Sequence, residues 1–185
     1  MWNKMAGNSV AKGRIQRFEE ILLPHLNAAY NLARWLTRDE HDAEDVVQES
    51  YLRALNSFDT FQFGRDARAW LLKIVRNTCY TWLRKNRPYE VAAQFDESAR
   101  DVPIAPSDPE TAVLAKANSQ LVRQALEQIS PEYREALILR ELEGFSYREI
   151  AQIVDIPLGT VMSRLSRARK ELRDRLQKEA QEVRR

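Results

Sequence analysis

Near the C-terminal end of this 185-residue chain, short hydroxyl side chains alternate with basic ones. Between Gly159 and Lys170 there are four basic residues and no acidic residue. Hydroxyl side chains let a helix approach a surface closely, arginine can pair with both acceptors of a guanine edge, and neighbouring cations hold phosphates. These residue types indicate a helix that reads DNA in the major groove. A solvated basic face is the alternative, because such faces are common on helices.

The two sides of this segment differ when its residues are placed at about 100° intervals around a helix. One side is apolar and is expected to pack inward; it consists of Val161, Leu165, Ala168, Leu172 and Leu176. The opposite side carries the candidate DNA contacts, which are Ser163, Arg167 and Lys170, with Thr160 and Ser166 beside them and Arg164 oblique to them.

A second group of residues, in the first half of the chain, has the chemistry of a single-strand binder. Unpaired bases stack on aromatic rings and are held by basic and amide side chains. Side chains of these types are Phe61, Phe63, Lys73, Arg76, Asn77, Tyr80 and Arg84. The loop Phe63-Gly64-Arg65 is the candidate base pocket, because its glycine lets the backbone approach a strand. Trp70 and Trp82 fall on the inward stripe and are interpreted as core residues.

Catalytic and metal-binding patterns are missing from the sequence. It contains no nucleophile–base pair, metal cluster or phosphate-binding loop, so neither an enzyme nor a cofactor is expected. Cys79 is the only cysteine and His25 and His41 are the only histidines, which excludes an intrachain disulfide and argues against zinc. Cys79 is interpreted as a packed small hydrophobe, with a redox sensor as the alternative.

The elements that must position these residues are predicted to be helices throughout. Apolar residues recur at three- and four-residue spacing and only five glycines are present, so the expected fold is all-α. In the first half, one helix covers about residues 14–35 and is kinked or split at Pro24. A second helix begins near Asp42 as its cap, and a third extends from Asp66 to about residue 85. The first helix is expected to bury Ile15, Phe18, Leu22, Leu26, Ala29, Ala33 and Leu36, and the second Val46, Val47, Tyr51 and Leu55.

The second half contains clear start and stop signals. Asp108-Pro109 and Ser130-Pro131 each place a cap and a first-turn proline before a helix, the second of which extends to about residue 143. Gly144 is expected to end that helix in a left-handed conformation.

A short helix to about residue 154 follows, and Ser146 and Glu149 have the spacing of a capping box at its start. A turn over residues 155–159 then leads into the basic helix. A short capped helix, a tight turn and a longer basic helix are the layout of a helix-turn-helix.

The net charge of +2 conceals three regions of different sign. Residues 1–88 sum to +4, residues 89–112 to −5 and residues 113–185 to +3. The middle region contains three prolines and no helical periodicity, so it is predicted to be an acidic linker, either a solvated tether or a strip that occupies a basic channel. The predicted divisions are an N-terminal extension (1–13), a first domain (14–88), the linker (89–112), a second domain (113–178) and a tail (179–185). No apolar run approaches the roughly 18 residues of a membrane span, and the N-terminus lacks a signal-peptide core, so a cytoplasmic protein is expected.

The basic helix resembles a known family. Residues 159–172, GTVMSRLSRARKEL, are similar to region 4.2 of bacterial sigma factors of the extracytoplasmic-function (ECF) group in the sigma-70 superfamily. Residues 126–134 and 143–151 are similar to region 4.1 and to the first helix of region 4.2. The resemblance implies that Ser163 and Arg167 contact bases of the minus-35 promoter element. The resemblance implies four further minus-35 contacts, namely Arg140, Tyr147, Arg148 and Met162.

Two segments of the first half extend the resemblance. Residues 42–51, DAEDVVQESY, resemble region 2.2, which in the family docks on the coiled coil of the polymerase β′ subunit. The implied polymerase contacts are Asp45, Gln48, Glu49 and Arg53, a polar rim that would otherwise be interpreted as solvated surface. Residues 58–77 resemble regions 2.3 and 2.4, which capture a flipped base of the minus-10 element, so the single-strand group together with Gly64 and Arg65 forms the implied minus-10 site.

The resemblance covers about residues 14–88 and 110–178 and implies a non-catalytic ECF sigma factor. Its implied partners are core RNA polymerase, through the β′ coiled coil and the β flap, promoter DNA and an anti-sigma factor, with the linker directed toward the RNA exit channel. The alternative is an autonomous helix-turn-helix regulator that dimerises on a palindrome. That function needs a dimerisation or effector domain, and the first half has no alternating pattern of strands and helices for one.

Overall fold

The computed structural model describes residues 2–62, 64–88 and 119–182, with side chains at 12–62, 64–88 and 121–178. The regular elements in these ranges are helices, which confirms the all-α prediction. The chain divides into two compact units, Met1–Trp82 and Leu83–Arg185. The linker, the Asp108-Pro109 start and Phe63 lie outside the described residues, and the predicted domain boundaries stay predictions.

The first unit is built from four α-helices and two short 3₁₀ turns. Their bounds are α1 Trp2–Leu22, a 3₁₀ turn Leu23–His25, α2 Leu26–Thr37, α3 Glu40–Ser57, a 3₁₀ turn Phe58–Thr60 and α4 Ala67–Asn86. The long first helix is split at Pro24, as the proline predicts. Helix α2 packs against α3.

The predicted inward stripe of α1 and α2 is wrong at two positions. Ile15 is 47% exposed and Leu26 is 44% exposed, whereas the rest of the stripe is buried. The stripe assumed one continuous α-helix, but the 3₁₀ turn has fewer residues per turn and shifts the phase before Leu26. At the other end Arg14 takes the inward direction, because its Nη2 donates to the carbonyl oxygen of Leu55 at 2.6 Å.

The cap of α3 was also misplaced by the sequence. Helix α2 ends at Arg38 in a left-handed conformation with φ 62°, and Asp39 then caps α3. The Oδ1 atom of Asp39 accepts a hydrogen bond from the backbone N–H of Asp42 at 3.0 Å, so Asp42 is the capped residue. At α4 the predicted cap is confirmed, since Asp66 Oδ1 accepts from the backbone N–H of Arg68 at 2.9 Å.

An aromatic row joins α1 to the start of α4. The rings of Phe18 and Phe58 meet edge to face at 5.3 Å, those of Phe58 and Phe61 are nearly parallel at 6.1 Å, and Phe61 lies 5.2 Å from Trp70. Nearby, the Tyr51 hydroxyl donates to the carbonyl oxygen of Leu22 at 2.9 Å, and burial raises the pKa of Tyr51 to about 12. This row and this hydrogen bond therefore attach the end of α3 and the following turn to α1.

The second unit surrounds one long helix. Its described elements are α5 Ser119–Glu127, α6 Pro131–Leu137, a π-helical segment Ile138–Leu142, α7 Tyr147–Val154 and α8 Leu158–Glu182. Helices α5, α6 and α7 all pack against α8. The predicted helix over residues 131–143 thus ends in a π segment, a wide turn that is frequent at functional sites.

A buried arginine holds the corner between α5 and α6. Arg134 is 1% exposed, and its Nε donates to the carbonyl oxygen of Leu126 at 2.8 Å. Its Nη2 donates to the carbonyl oxygens of Glu127 at 2.9 Å and Ile129 at 2.6 Å. The predicted side-chain cap at Ser130 is wrong: its Oγ is buried without a hydrogen-bond partner, and its carbonyl oxygen accepts from Arg134 N–H instead.

We expect Arg134→Met to lower the free energy of unfolding of the second unit by about 2 kcal/mol or more, because the carbonyl oxygens of Glu127 and Ile129 lose their donor at roughly 1–3 kcal/mol each, while that of Leu126 keeps the backbone N–H of Ile129. All four tryptophans lie in the first unit, Met1–Trp82, so urea unfolding followed by tryptophan fluorescence reports that unit and circular dichroism reports both. The dichroism transition should move while the fluorescence transition does not. Arg173→Met, at an exposed position on α8, is the control. Equal effects of the two substitutions would contradict the role of Arg134.

Candidate nucleic-acid interface

The first helix of the helix-turn-helix, α7, lies between two left-handed residues. Gly144 has φ 72°, and Asp155, with φ 62°, ends α7. The capping box is confirmed, since Glu149 Oε2 accepts from Ser146 N–H at 2.7 Å and Ser146 Oγ accepts from Glu149 N–H at 3.3 Å. Hydrogen bonds from the side chain and backbone of Ser146 hold the pKa of Glu149 below its ordinary value. The entry into α7 is therefore set by local hydrogen bonds.

Helix α8 separates its apolar and polar residues as the sequence predicts. The buried side consists of Val161, Leu165, Ala168 and Leu172, and Leu176 is half-buried. On the opposite side Ser166 and Lys170 are exposed and the other predicted contacts are half-buried, namely Thr160, Met162, Ser163, Arg164 and Arg167. The fold thus brings the predicted minus-35 residues of α8 to one surface of the second unit.

Two arginines of this surface are partly held in place. Arg167 Nη1 donates to the hydroxyl of Tyr133 on α6 at 3.2 Å. Arg164 has one guanidinium nitrogen, Nη1, that is buried without a hydrogen-bond partner. Because this atom has almost no exposed surface, a phosphate contact by Arg164 would need another guanidinium nitrogen or a different rotamer.

The contacts predicted outside α8 gather around one ring. The guanidinium of Arg140 lies 5.2 Å from the ring centre of Tyr147, and its Nη1 donates to the carbonyl oxygen of Phe145 at 3.0 Å. Arg148 is exposed beside them. The sequence analysis missed Arg169, which joins this group by donating to Glu141 Oε1 at 2.8 Å. No local spacing signals that pair, since its members are 28 residues apart.

The candidate single-strand residues form a stripe on α4. Lys73, Asn77, Tyr80 and Arg84 follow one another at three- and four-residue spacing, with Arg76 beside Asn77, so all five lie on one side of the helix. The Arg76 guanidinium covers the Tyr80 ring at 4.5 Å and its Nη1 donates to Asn77 Oδ1 at 3.2 Å. Tyr80 is buried, and Arg76 covers the ring face on which a base could stack.

The loop before α4 has a mixed composition. Phe61 belongs to the buried aromatic row, while Gly64, with φ 102°, and Arg65 are exposed. The interpretation of Trp70 and Trp82 as core residues holds in part, since both are half-buried. The base pocket predicted at this loop is therefore an open, basic turn over an aromatic floor.

A residue behind the loop was missed by the sequence analysis. Arg14 donates to Asp59 Oδ1 at 2.9 Å in addition to its bond with Leu55, and so holds the 3₁₀ turn that precedes the loop. No pattern in the sequence joins positions more than 40 residues apart in this way.

The polar rim of α3 is exposed at every predicted position. Asp45 and Gln48 are free of the core, and Arg53 Nε pairs with Glu49 Oε1 at 2.7 Å one turn away. Leu52, which the sequence analysis passed over, is 53% exposed within this rim.

Other classes of site receive no support from the described ranges. Within them no group of three or more histidine, cysteine, aspartate or glutamate side chains could hold a metal ion. Among the same residues no helix is long and apolar enough to cross a membrane. Cys79 is fully buried in the first unit, in agreement with a packing role.

Family profiles match both units. The profile described as "Sigma-70 region 2" matches residues 21–89, and the profile described as "Sigma-70, region 4" matches residues 119–172. The chain is 33% identical over 166 residues to the ECF RNA polymerase sigma factor SigE of Mycolicibacterium smegmatis. This alignment covers 90% of the chain but only 64% of SigE. It is 31% identical to the ECF RNA polymerase sigma factor SigW of Bacillus subtilis, over 90% of this chain and 92% of SigW.

Two solved structures share the fold, one of them the structure of a sigma factor. The sigma factor RpoE in complex with the anti-sigma factor NepR from Bartonella quintana superposes with a TM-score of 0.68 at 34% identity, over 88% of this chain and 98% of that one. CnrH in complex with the cytosolic domain of CnrY gives a TM-score of 0.64 at 26% identity, over 92% and 94% of the two chains.

We expect Glu149→Gln to make the second unit less sensitive to acid. A carboxylate whose folded-state pKa is lowered stabilises the fold above its unfolded-state pKa, and this contribution is lost as the pH falls through the lowered value. Glutamine still accepts from Ser146 N–H but does not titrate. Thermal unfolding by circular dichroism at pH 7 and about pH 4, near the ordinary glutamate pKa, should show a smaller loss in the variant than in the wild type. Glu19→Gln, at an exposed site on α1, is the control, and equal losses in all three proteins would refute the prediction.

Proposed function

The chain belongs to the sigma-70 family of RNA polymerase sigma factors, within its ECF group, and on this premise we propose that it is the promoter-specificity subunit of RNA polymerase. The observation that carries the proposal is α8, whose basic and hydroxyl side lies directly opposite its buried apolar side. Its role is non-catalytic: it selects the start site and holds the opened strand, while the polymerase makes the phosphodiester bonds.

The second unit reads the minus-35 element by placing α8 in the major groove. Arg167 pairs with a guanine edge and exchanges its hydrogen bond to Tyr133 for base acceptors on binding. Ser163 lies four residues before it on the same side and allows close approach. Lys170 and Arg148 are exposed and hold phosphates, which position the helix without specifying sequence.

The first unit holds the minus-10 strand on the α4 stripe. A base that leaves the duplex meets the guanidinium of Arg76, which is already stacked on Tyr80 and extends that ring outward. Asn77 supplies an amide for the base edge, and Gly64 with Arg65 forms the exposed pocket at the preceding turn. Phe61 supports this pocket from inside the core rather than by stacking on the base.

The positive charge of each half is modest, so the chain alone binds promoter DNA weakly. Polymerase supplies the remaining contacts. The rim of α3 docks on the β′ coiled coil, with Leu52 as an apolar anchor among charged neighbours. The second unit contacts the β flap, and the acidic linker over residues 89–112 connects the two domains near the RNA exit channel. Work inside the polymerase places the protein in the cytoplasm.

An anti-sigma factor completes the set of partners. RpoE is solved with the anti-sigma factor NepR, and CnrH with the cytosolic domain of CnrY. An antagonist of this kind keeps the subunit from polymerase until a signal releases it.

The domain boundaries that we propose for the chain are 14–88 and 113–178, with short extensions at both ends.

We expect Arg167→Ala to reduce discrimination at one minus-35 base pair by about tenfold, since a bidentate pair is worth roughly 1–3 kcal/mol. The measurement is transcription in vitro by the reconstituted holoenzyme on a promoter recovered by pull-down and sequencing, with each minus-35 base varied. Arg173→Ala removes the same charge from an exposed position of α8 and should leave discrimination intact. Tight, sequence-specific retardation of a palindrome by the free chain would instead indicate an autonomous regulator.

We expect Asn77→Ala to impair strand opening more than strand holding. The variant should transcribe poorly from a duplex promoter and recover most of its activity on a template that is already unpaired at the minus-10 element, because the amide acts on the base as it leaves the stack. Asn56→Ala, an exposed asparagine on α3, is the control. Equal losses on both templates would restrict Asn77 to binding the strand.

A further inference from the structure

Arg169 is the centre of a hydrogen-bonded cluster that joins three elements of the second unit. Its Nη2 and Nε lie 2.8 and 3.3 Å from Glu141 Oε1, and its Nη1 lies 3.4 Å from the Tyr147 hydroxyl. Glu141 belongs to the π segment, Tyr147 is the first residue of α7, and Arg169 lies on α8. The cluster therefore connects both helices of the helix-turn-helix to the segment that precedes them.

The ring of Tyr147 extends the cluster to a predicted DNA contact. Arg140 lies against that ring at 5.2 Å and donates to the carbonyl oxygen of Phe145 at 3.0 Å. Cation–π contact and hydrogen bond together restrict the direction of the Arg140 guanidinium. Whatever holds Tyr147 relative to α8 consequently sets where Arg140 points relative to the residues that α8 places in the groove.

The position of Arg169 on α8 argues against a direct DNA contact. At 100° per residue it lies about 120° from Ser163 and only about 70° from the centre of the buried side. Its side chain is 33% exposed, and its guanidinium is already paired with the carboxylate of Glu141. Burial opposes the charged form of Arg169, but the hydrogen bonds to Glu141 and Tyr147 outweigh it and raise the pKa of Arg169, so the cation persists in the cluster.

We propose that Arg169 is a positioning residue for minus-35 reading: it holds Tyr147, and through that ring Arg140, at a constant spacing from α8 without touching DNA. The inference rests on the proposed function. A positioning residue and a phosphate ligand differ in a measurable way, because loss of a phosphate contact weakens all sequences equally and lowers the salt dependence of affinity by about one ion. Loss of positioning changes which sequences bind and leaves the salt dependence unchanged.

Three variants separate the parts of the cluster. Arg169→Ala removes both links. Tyr147→Phe keeps the ring beneath Arg140 and removes only the hydroxyl link, with no change of charge. Arg169→Lys keeps the charge and can pair with Glu141, but one ammonium does not reproduce the fork that also reaches Tyr147.

The test uses holoenzyme reconstituted from the full chain and core polymerase, with a promoter duplex library randomised across the minus-35 positions. Bound duplexes are sequenced, and the affinity of the most enriched duplex is measured against salt. Arg169→Ala should flatten the preference at one or more positions about tenfold with an unchanged salt slope. Tyr147→Phe should flatten the same positions to a smaller extent, and Arg169→Lys should lie between Arg169→Ala and the wild type.

The control is Arg173→Ala, which removes an exposed cation one turn further along α8 and should preserve the base preferences. A uniform loss across sequences with a slope lower by about one in Arg169→Ala would overturn the proposal in favour of a phosphate contact. Preserved preferences in both Arg169→Ala and Tyr147→Phe would overturn it while the proposed function stands. A wild-type holoenzyme that enriches no sequence would overturn both. Tyr147→Phe decides the question if Arg169→Ala does not fold, as judged by circular dichroism.

Discussion

Arg134 lies buried at the corner between α5 and α6, where its guanidinium donates to three carbonyl oxygens. A guanidinium can satisfy them all because its donors spread in a rigid fork, which a lysine does not reproduce. The corner sets the course of α6 across α8, and the neighbouring Tyr133 accepts a hydrogen bond from Arg167 on the polar side of that helix. The direction of a side chain that we propose to read bases thus depends on hydrogen bonds in the interior of the unit.

In the first unit, aromatic contacts and one exposed ion pair position the loop before α4. The aromatic row from Phe18 to Trp70 spans the loop that carries Gly64 and Arg65, and Arg14 holds the 3₁₀ turn that precedes this loop. The anchors of the loop are therefore separate from its exposed residues. In both units, then, the residues that we propose to face DNA are few and are supported by residues that do not.

Patterns local in sequence predicted local structure well. The capping box at Ser146, the stop at Gly144, the cap at Asp66 and the apolar side of α8 all depend on residues within four positions of one another. The resemblance of the chain to sigma factors also depended on short motifs of this kind.

The errors and omissions arose where distance or helix type intervened. The stripe failed at Leu26 because a 3₁₀ turn changed the helical phase, and the Asp42 cap failed because α3 begins directly after the left-handed residue Arg38, so that Asp39 is its cap. The roles of Arg14 and Arg169 depend on partners 22 or more positions away, which no periodicity encodes. A π segment likewise has no sequence signature in a run that reads as an ordinary helix.

That π segment, Ile138–Leu142, has a consequence for how promoter preference can change in evolution. A π turn accommodates one residue more than an α turn, so deletion of a single residue there relaxes it to regular α-helix. Because the wider turn absorbs the extra residue, the flanking helices keep their phase after such a deletion, and only side chains within the segment change direction. The guanidinium of Arg140 would move to a different sector while the cores of α6 and α8 kept their packing. Insertions and deletions, as well as substitutions, are therefore a route to new specificity in this scaffold.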